Sequence, residues 1–389
     1  MRNGELLSRT ESAALRGIAI LGIILHNYCH FLGFAVKENE YKFDSSRPMQ
    51  FFDKLFSLDS DLFIHFFSFL GHYGVPIFLF ISGYGLVKKY EAHPQTGNEN
   101  PSRWEGHSVG FTFIRKHFLK LFRLMIIGYL VFIGVYLLRH SDGAQVYSWD
   151  HVLTQLTMTI NFFYFDPDHI IKPGPYWYFG LMLQLYILYI LVIYRWRQNS
   201  LLIALAAGSI LLEACFGNQQ DWLNYIRYNF IGGMLPFGLG VIFGGTEVRG
   251  YGGTRLPWRV LSAAGVFSHP RTPVPPYLRI ISLLLALASI PLVLVMSFSF
   301  HSWLWIPVVI IIGTIALVKA LPAVILKIFV FFGTYSAAMF VAHPIARKLF
   351  ITVAWQRDAY DGLMLYFVAA IGLSWAVKMI IDCIPSPKM

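Results

Sequence analysis

The sequence predicts an all-α integral membrane bundle of about ten transmembrane helices with both termini cytoplasmic. Three observations carry the prediction. Of 389 residues, 56% are hydrophobic and only 13% charged, against the roughly 25% charged that is usual for soluble domains. The mean hydropathy is +0.56. Apolar segments of about 20 residues, the length that crosses a bilayer core of roughly 30 Å, recur along the chain. Length alone would allow two or three soluble domains, but no polar stretch is long enough to form one, so residues 1–389 read as a single membrane-embedded domain.

Apolar runs between charged or Pro/Gly-rich breaks place the spans at about 13–33, 71–88, 119–138, 175–194, 200–215, 223–244, 277–298, 302–321, 327–348 and 360–384. With the N-terminus inside, inner segments hold nineteen Lys and Arg and outer segments nine. That asymmetry favours cytoplasmic N- and C-termini. The net charge of +10 is therefore a topology signal, and nucleic acid is not an expected partner. Cys29, Cys215 and Cys383 are scattered among apolar runs, which suits packing and neither a disulfide framework nor a paired zinc motif. The polar start, MRNGELLSRTES, leads into span one without a small-residue cleavage signature, so this helix is expected to be retained.

Span one, ALRGIAILGIILHNYCHF, carries Arg16, His26, Asn27 and His30. A lipid-length helix keeps such residues only where they face a protein interior, a water-filled cavity or a substrate. A rise of 1.5 Å per residue puts His26 about 15 Å above Arg16, near mid-membrane. At about 100° per residue Asn27 lies directly above Arg16, with His26 to one side and His30 about 40° off, so one broad polar face includes all four. His26 and His30 share the i, i+4 spacing of a zinc-binding HExxH helix, but the glutamate is absent and no third ligand is evident; no metal is expected.

The aromatic segment Phe51 to Phe69 is broken by Asp53, Lys54, Asp59 and Asp61 and is expected to lie at the outer interface. Span two ends in Ser82, Gly83 and Tyr84, where glycine permits close helix approach. A polar loop over about residues 90–110 leads to Arg115, Lys116, Lys120 and Arg123, a basic collar at the inner mouth of span three. Such a collar either binds anionic membrane lipid or attracts a phosphorylated cytoplasmic ligand. The outer loop from His140 to Gly174 carries Asp142, Asp150, Asp166, Asp168 and His169, and Tyr176, Trp177 and Tyr178 open span four. Those rings fit an interfacial belt or the stacking face of a sugar. An inside loop over 245–277 holds Arg249, Arg255, Arg259 and Arg271 among many Gly and Pro. Span nine brings Tyr335, Ser336, His343 and Pro344, the proline marking a kink position. In span ten Lys378 and Asp382 are expected to pair at i, i+4.

Several landmarks occur in a fixed order: LRGIAILGIILH at span one, VPIFLFISGYGL at span two, a basic approach to span three, GPYWYFGLML at span four and FGTYSAAMFVAHP at span nine. In this order the chain resembles membrane-bound acyltransferase family 3, bacterial O-acetyltransferases that decorate surface polysaccharides, over nearly its whole length. The resemblance implies a cytoplasmic acyl-CoA donor, commonly acetyl-CoA, used as a substrate with no permanently bound cofactor. It implies a carbohydrate acceptor at the outer side of the inner membrane, with Arg16 engaging the donor and His26 as catalytic base. Those roles suit an arginine near the inner mouth and a mid-depth histidine. Arg115, Lys116, Lys120 and Arg123 would assist donor docking, and Ser82, Gly83, Tyr84, Trp177, Tyr335, Ser336 and His343 would line or brace the site.

The chain departs from the family pattern in one place. Ten residues usually separate the arginine from the histidine; here nine intervene, and Asn27 occupies the expected slot. Either a π-bulge turns His26 into place, or His26 and Asn27 divide the work, or His30 is the base. Lys120 also stands where the family often has arginine, and Arg123 where it often has proline. A transporter or polysaccharide exporter would likewise place polar groups at mid-membrane, but no inverted repeat between the halves is evident, and a one-sided basic dock serves no transport step. A non-enzymatic membrane scaffold is the remaining rival.

Overall fold

The structure is a computed structural model that describes residues 6–91, 107–139, 148–249, 276–354 and 358–385. Every regular element among them is helical. Helix α1 (Arg9–Cys29) begins with a capping box. The Ser8 hydroxyl accepts from the Glu11 amide at 3.2 Å and the Glu11 carboxylate accepts from the Ser8 amide at 2.8 Å, so two amides without intrahelical partners are satisfied reciprocally. An irregular segment then leads to α2 (Ser46–Phe56) and α3 (Leu62–Leu70), which continues through a 3₁₀ turn at Gly71–Tyr73 into α4 (Gly74–Tyr90).

Next come α5 (His107–Arg139), α6 (Trp149–Leu156) and the short α7 (Ile160–Phe163) and α8 (Pro167–Ile170). Helix α9 (Trp177–Leu188) passes through a π-helical turn at Tyr189–Ile193 into α10 (Tyr194–Trp196). The chain continues through α11 (Asn199–Cys215), α12 (Gln220–Tyr228), α13 (Phe230–Arg249), α14 (Pro276–Met296), α15 (Phe300–Trp303), α16 (Ile306–Ala320), α17 (Ala323–Ala354) and α18 (Ala359–Cys383).

Seven helical stretches are long and apolar enough to cross a bilayer, or eight when α12 and α13, bent by 46°, count as one. Two further apolar helices, α11 and α16, have 17 and 15 residues; at 1.5 Å per residue the shorter reaches roughly 22 Å, less than a bilayer core. Large apolar side chains on α14, among them Ile280, Leu284, Leu287 and Val295, lie on the outer surface, an arrangement suited to lipid.

Three boundaries differ from the sequence expectation. Leu62–Leu70 is continuous with α4 and forms with it one 29-residue apolar stretch from Leu62 to Tyr90. Asp59 and Asp61 fall in the turn before α3, where Asp59 pairs with Lys54 at 2.7 Å and lies 3.5 Å from His65. Helix α5 begins at His107, so Arg115 and Lys116 sit within the helix instead of on its approach. Helix α17 runs on through Pro344 to Ala354. The polar loop before α5, most of the arginine-bearing loop after α13, and Asp142 lie largely outside the described residues.

Helix α1 is the axis of the bundle. It packs on α17 with backbones in direct contact: a β-carbon added at Gly17 would stand 1.9 Å from the Phe329 carbonyl oxygen, and one at Gly333 would stand 1.8 Å from that of Ala13. Only glycine allows that approach. The α3–α4 stretch covers another side of α1, and the 31–45 segment folds back over its C-terminal end.

Candidate functional site

A cavity of about 850 Å³ opens beside the end of α1. Its walls come from α1 (His26, Asn27, His30), the following segment (Lys37, Glu38, Glu40, Tyr41), the loop before α9 (Asp166, Asp168, Lys172) with Trp177 and Tyr178, and α17 (Phe340, Pro344, Arg347). His26 is 7% exposed. Its Nδ1 lies 3.0 Å from the Ser68 carbonyl oxygen and 3.3 Å from that of Phe67. Carbonyl oxygens only accept, so Nδ1 carries the proton and Nε2 keeps its lone pair. Nε2 stands 4.0 Å from Glu38 and 3.9 Å from Glu40.

The segment bearing these carboxylates is fixed by its own backbone. Arg227 donates to the Glu40 carbonyl at 2.7 Å and the Trp303 indole N–H to that of Asn39 at 2.8 Å, while Arg47 donates to the Glu38 carbonyl. Glu38 accepts from His30 Nδ1 at 2.7 Å. Burial opposes ionisation of Glu38, yet the neighbouring His26 ring and the hydrogen bond from His30 hold it well below the usual carboxylate range. For Glu40, burial and then the charge of Glu38 push the other way, well above that range. Two carboxyl groups shifted in opposite directions therefore face Nε2 from positions two apart.

His72 completes the group. Its ring centroid lies 5.6 Å from that of His26, it is 5% exposed, and neither of its nitrogens has a hydrogen-bond partner among the described residues. It also lines a smaller adjoining cavity with Tyr73, Leu181 and Arg227. Above it, Tyr41 stacks on Tyr228 at 3.9 Å and meets Trp177 edge-on at 5.6 Å. The rings opening span four thus serve in part as a cavity wall.

Asn27 addresses a different wall. Its side-chain N–H donates to Ile23 at 3.0 Å and its oxygen accepts from Arg347 Nη1 at 2.8 Å, with the guanidinium lying 3.9 Å over the Phe31 ring. Helix α1 is α-helical from Arg9 to Cys29, so no π-bulge turns His26; the π-helical turn belongs to span four.

Arg16 does not line this cavity. It lies toward the other end of α1, within electrostatic reach of Tyr186 and Lys120, and Lys120 in turn feels Lys116 and Arg123. Arg123 also holds the end of α18 through the Ile384 carbonyl at 2.9 Å, whereas Arg115 is exposed. Ser82 is in hydrogen-bonding reach of both Tyr178, on the cavity wall, and Tyr186, beside Arg16. A polar thread therefore crosses the bundle from the basic cluster to the cavity.

The other expected residues stand elsewhere. Gly83 permits close packing, since a β-carbon there would lie 2.3 Å from the Phe237 carbonyl oxygen. Tyr84 ties down the N-terminal segment through Leu7 at 3.3 Å. Tyr335 packs on Phe331, and Ser336 bonds the Gly333 carbonyl. His343 is fully buried with Nδ1 on the Met339 carbonyl. None of these five lines the cavity. Lys378 and Asp382 pair at 2.8 Å, as their spacing predicts.

Glu38, Glu40, His72 and Arg347 were not singled out by sequence. The signal available was slight: two glutamates two apart in an extended segment share a face, and Arg347 follows His343 by one helical turn. Glu38 also supplies the third group missing from the metal reading. Ligand atoms of His26, His30 and Glu38 lie within 4.8 Å of one another, as do those of Asp166, Asp168 and His169. In the first set the His30 to Glu38 hydrogen bond already joins two members; in the second, His169 Nδ1 lies 3.1 Å from both aspartates.

A bundle whose described elements are all helical, with at least seven of them long and apolar enough to cross a bilayer and a histidine of its central helix at a cavity wall, defines an integral membrane protein. The chain belongs to acyltransferase family 3: the family model described as an acyltransferase domain matches residues 11–380, nearly all of it. It is an acyltransferase. No curated protein and no solved structure matches it.

Proposed function

We propose that this acyltransferase moves an acyl group, in the simplest case acetyl, from cytoplasmic acyl-CoA to a hydroxyl of a cell-envelope or exported carbohydrate, acting as one membrane-embedded domain in a bacterial inner membrane. The observation that carries the reading is His26: Nδ1–H is held by a backbone carbonyl while Nε2 faces the cavity. The acceptor hydroxyl oxygen attacks the thioester carbonyl carbon as its proton passes to Nε2. Collapse breaks the C–S bond, and Nε2 returns the proton to the departing thiolate. Glu38 stabilises the imidazolium that exists between these steps.

Arg16, with Lys116, Lys120 and Arg123, holds the CoA phosphates at the inner face. The acyl arm follows the polar thread past Tyr186, Ser82 and Tyr178. In this arrangement α11 and α16 complete ten spans, both termini are cytoplasmic and the cavity opens outward.

The test is transfer from radiolabelled acetyl-CoA to a glycan acceptor in a membrane preparation. His26→Ala should lower transfer about 10²- to 10⁴-fold with no loss of abundance or thermal stability, whereas His30→Ala and Asn27→Ala retain measurable transfer. Undiminished transfer by His26→Ala would overturn the assignment.

A further inference from the structure

The cavity contains charges of both signs, but they are not equally compensated. Glu38 accepts from His30 at 2.7 Å, and Asp166 lies 3.1 Å from His169 and 3.2 Å from the Asn224 amide. Burial pushes both Glu40 and Asp168 upward from their ordinary values. Two cations on the facing walls have no such answer. Arg347 donates to the neutral Asn27 oxygen and rests on Phe31. Lys172 donates to the His169 carbonyl at 3.1 Å.

Neither cation has a carboxylate within 4.0 Å among the described residues; the charge of Asp168 reaches both, and the two cations repel one another. Arg227, by contrast, is paired with Glu213 at 2.5 Å. An enclosed guanidinium without a counter-charge is costly to maintain. Its planar fork matches a carboxylate or a phosphate oxygen pair.

We infer that Arg347, with Lys172, forms a subsite for the anionic substituent of an acidic sugar whose hydroxyl is presented to His26. The inference deepens the acyl-transfer reading and rests on it. Arg347 is bonded to Asn27, the residue after His26, so the anion and the reacting hydroxyl belong to one sugar or to two adjoining ones. Trp177 and Tyr178, on the same cavity, offer faces for the ring.

The experiment measures binding to the full chain in zwitterionic nanodiscs. The probes are a glucuronate trisaccharide, a phosphorylated trisaccharide and a neutral glucose trisaccharide, each at low and high salt. At least one acidic probe should bind about tenfold or more tightly than the neutral one, with the margin shrinking at high salt. A preference for the glucuronate probe identifies a carboxylate sugar, and one for the phosphorylated probe a phosphate sugar; both support the subsite. Arg347→Gln should abolish the preference, Arg347→Lys should restore part of it, and Lys172→Gln should weaken it.

His26→Ala should keep the preference while losing transfer; retained transfer there would sink the base assignment and leave the subsite standing. Equal binding of all three probes, or an undiminished preference in both Arg347→Gln and Lys172→Gln, would overturn the subsite. If no trisaccharide binds, the subsite and the carbohydrate reading fall together. The comparison among probes on the unaltered protein stands even if an Arg347 variant fails to fold.

Discussion

Gly17→Ala is a small change with a consequence that follows from the geometry. The new methyl carbon would stand 1.9 Å from the Phe329 carbonyl oxygen, where real β-carbons do not approach below 3.0 Å. The obstacle is backbone inside α17, so no rotamer change relieves it, and α1 and α17 must separate by at least about 1.1 Å. Overpacking of this kind costs about 1–3 kcal/mol. The same interface holds the Asn27 to Arg347 hydrogen bond at 2.8 Å, and Arg16 adjoins the substituted position. A displacement near 1 Å at a reacting group costs about 10²-fold in rate.

Thermal unfolding in detergent and acetyl transfer from acetyl-CoA together read both effects. The expected result is a lowered melting temperature with transfer reduced by one to two orders of magnitude. Gly134→Ala is the control: nothing stands within 4 Å of a β-carbon there, and it should behave as wild type. A Gly17→Ala protein with wild-type melting and activity would refute the close α1–α17 packing and its role in holding the site.

The two cavity glutamates should respond in opposite ways to loss of charge. Glu38→Gln removes an ionised partner 4.0 Å from His26 Nε2 and should lower transfer about ten- to hundredfold, whereas Glu40→Gln mimics a protonated acid and should leave it within a few-fold; the reverse order would contradict the protonation states. Glu40 also links stability to pH. Its folded pKa is raised, so above about pH 4.3 the unfolded chain binds fewer protons than the folded one, and stability falls as pH rises toward the folded value. Melting temperatures measured against pH should lose that slope in Glu40→Gln. Glu213→Leu would leave the part-buried Arg227 without its carboxylate, which should cost about 1–3 kcal/mol and appear as a drop in melting temperature; an unchanged melting temperature would deny the pair any structural role.

Much of the fold was legible in the sequence because lipid is an unforgiving solvent. Every unsatisfied backbone amide is costly there, so long apolar runs must be helical, and each of the ten predicted segments corresponds to a helix or a bent helix pair. The errors came where charge sits beside an apolar run. Asp59 and Asp61 hid the continuity of Leu62–Leu70 with α4, and the structure brings Lys54 and His65 to Asp59. Arg115 and Lys116 likewise made α5 appear to begin late.

The site divides along the same line. Arg16, His26, Asn27 and His30 stood out because polar residues in a span are conspicuous, and helical geometry related them to one another. Glu38 and Glu40 lie in a polar segment where glutamate is unremarkable, and His72 and Arg347 come from distant parts of the chain. By itself the sequence determined an α-helical membrane protein with a polar central helix, since composition and 3.6-residue periodicity are local properties. Which carboxylates face His26, which side chain answers Asn27, and which cations in the cavity lack a counter-charge were decided only by the tertiary structure, because each depends on groups brought together by the packing of separate helices and by an irregular segment that no periodicity describes.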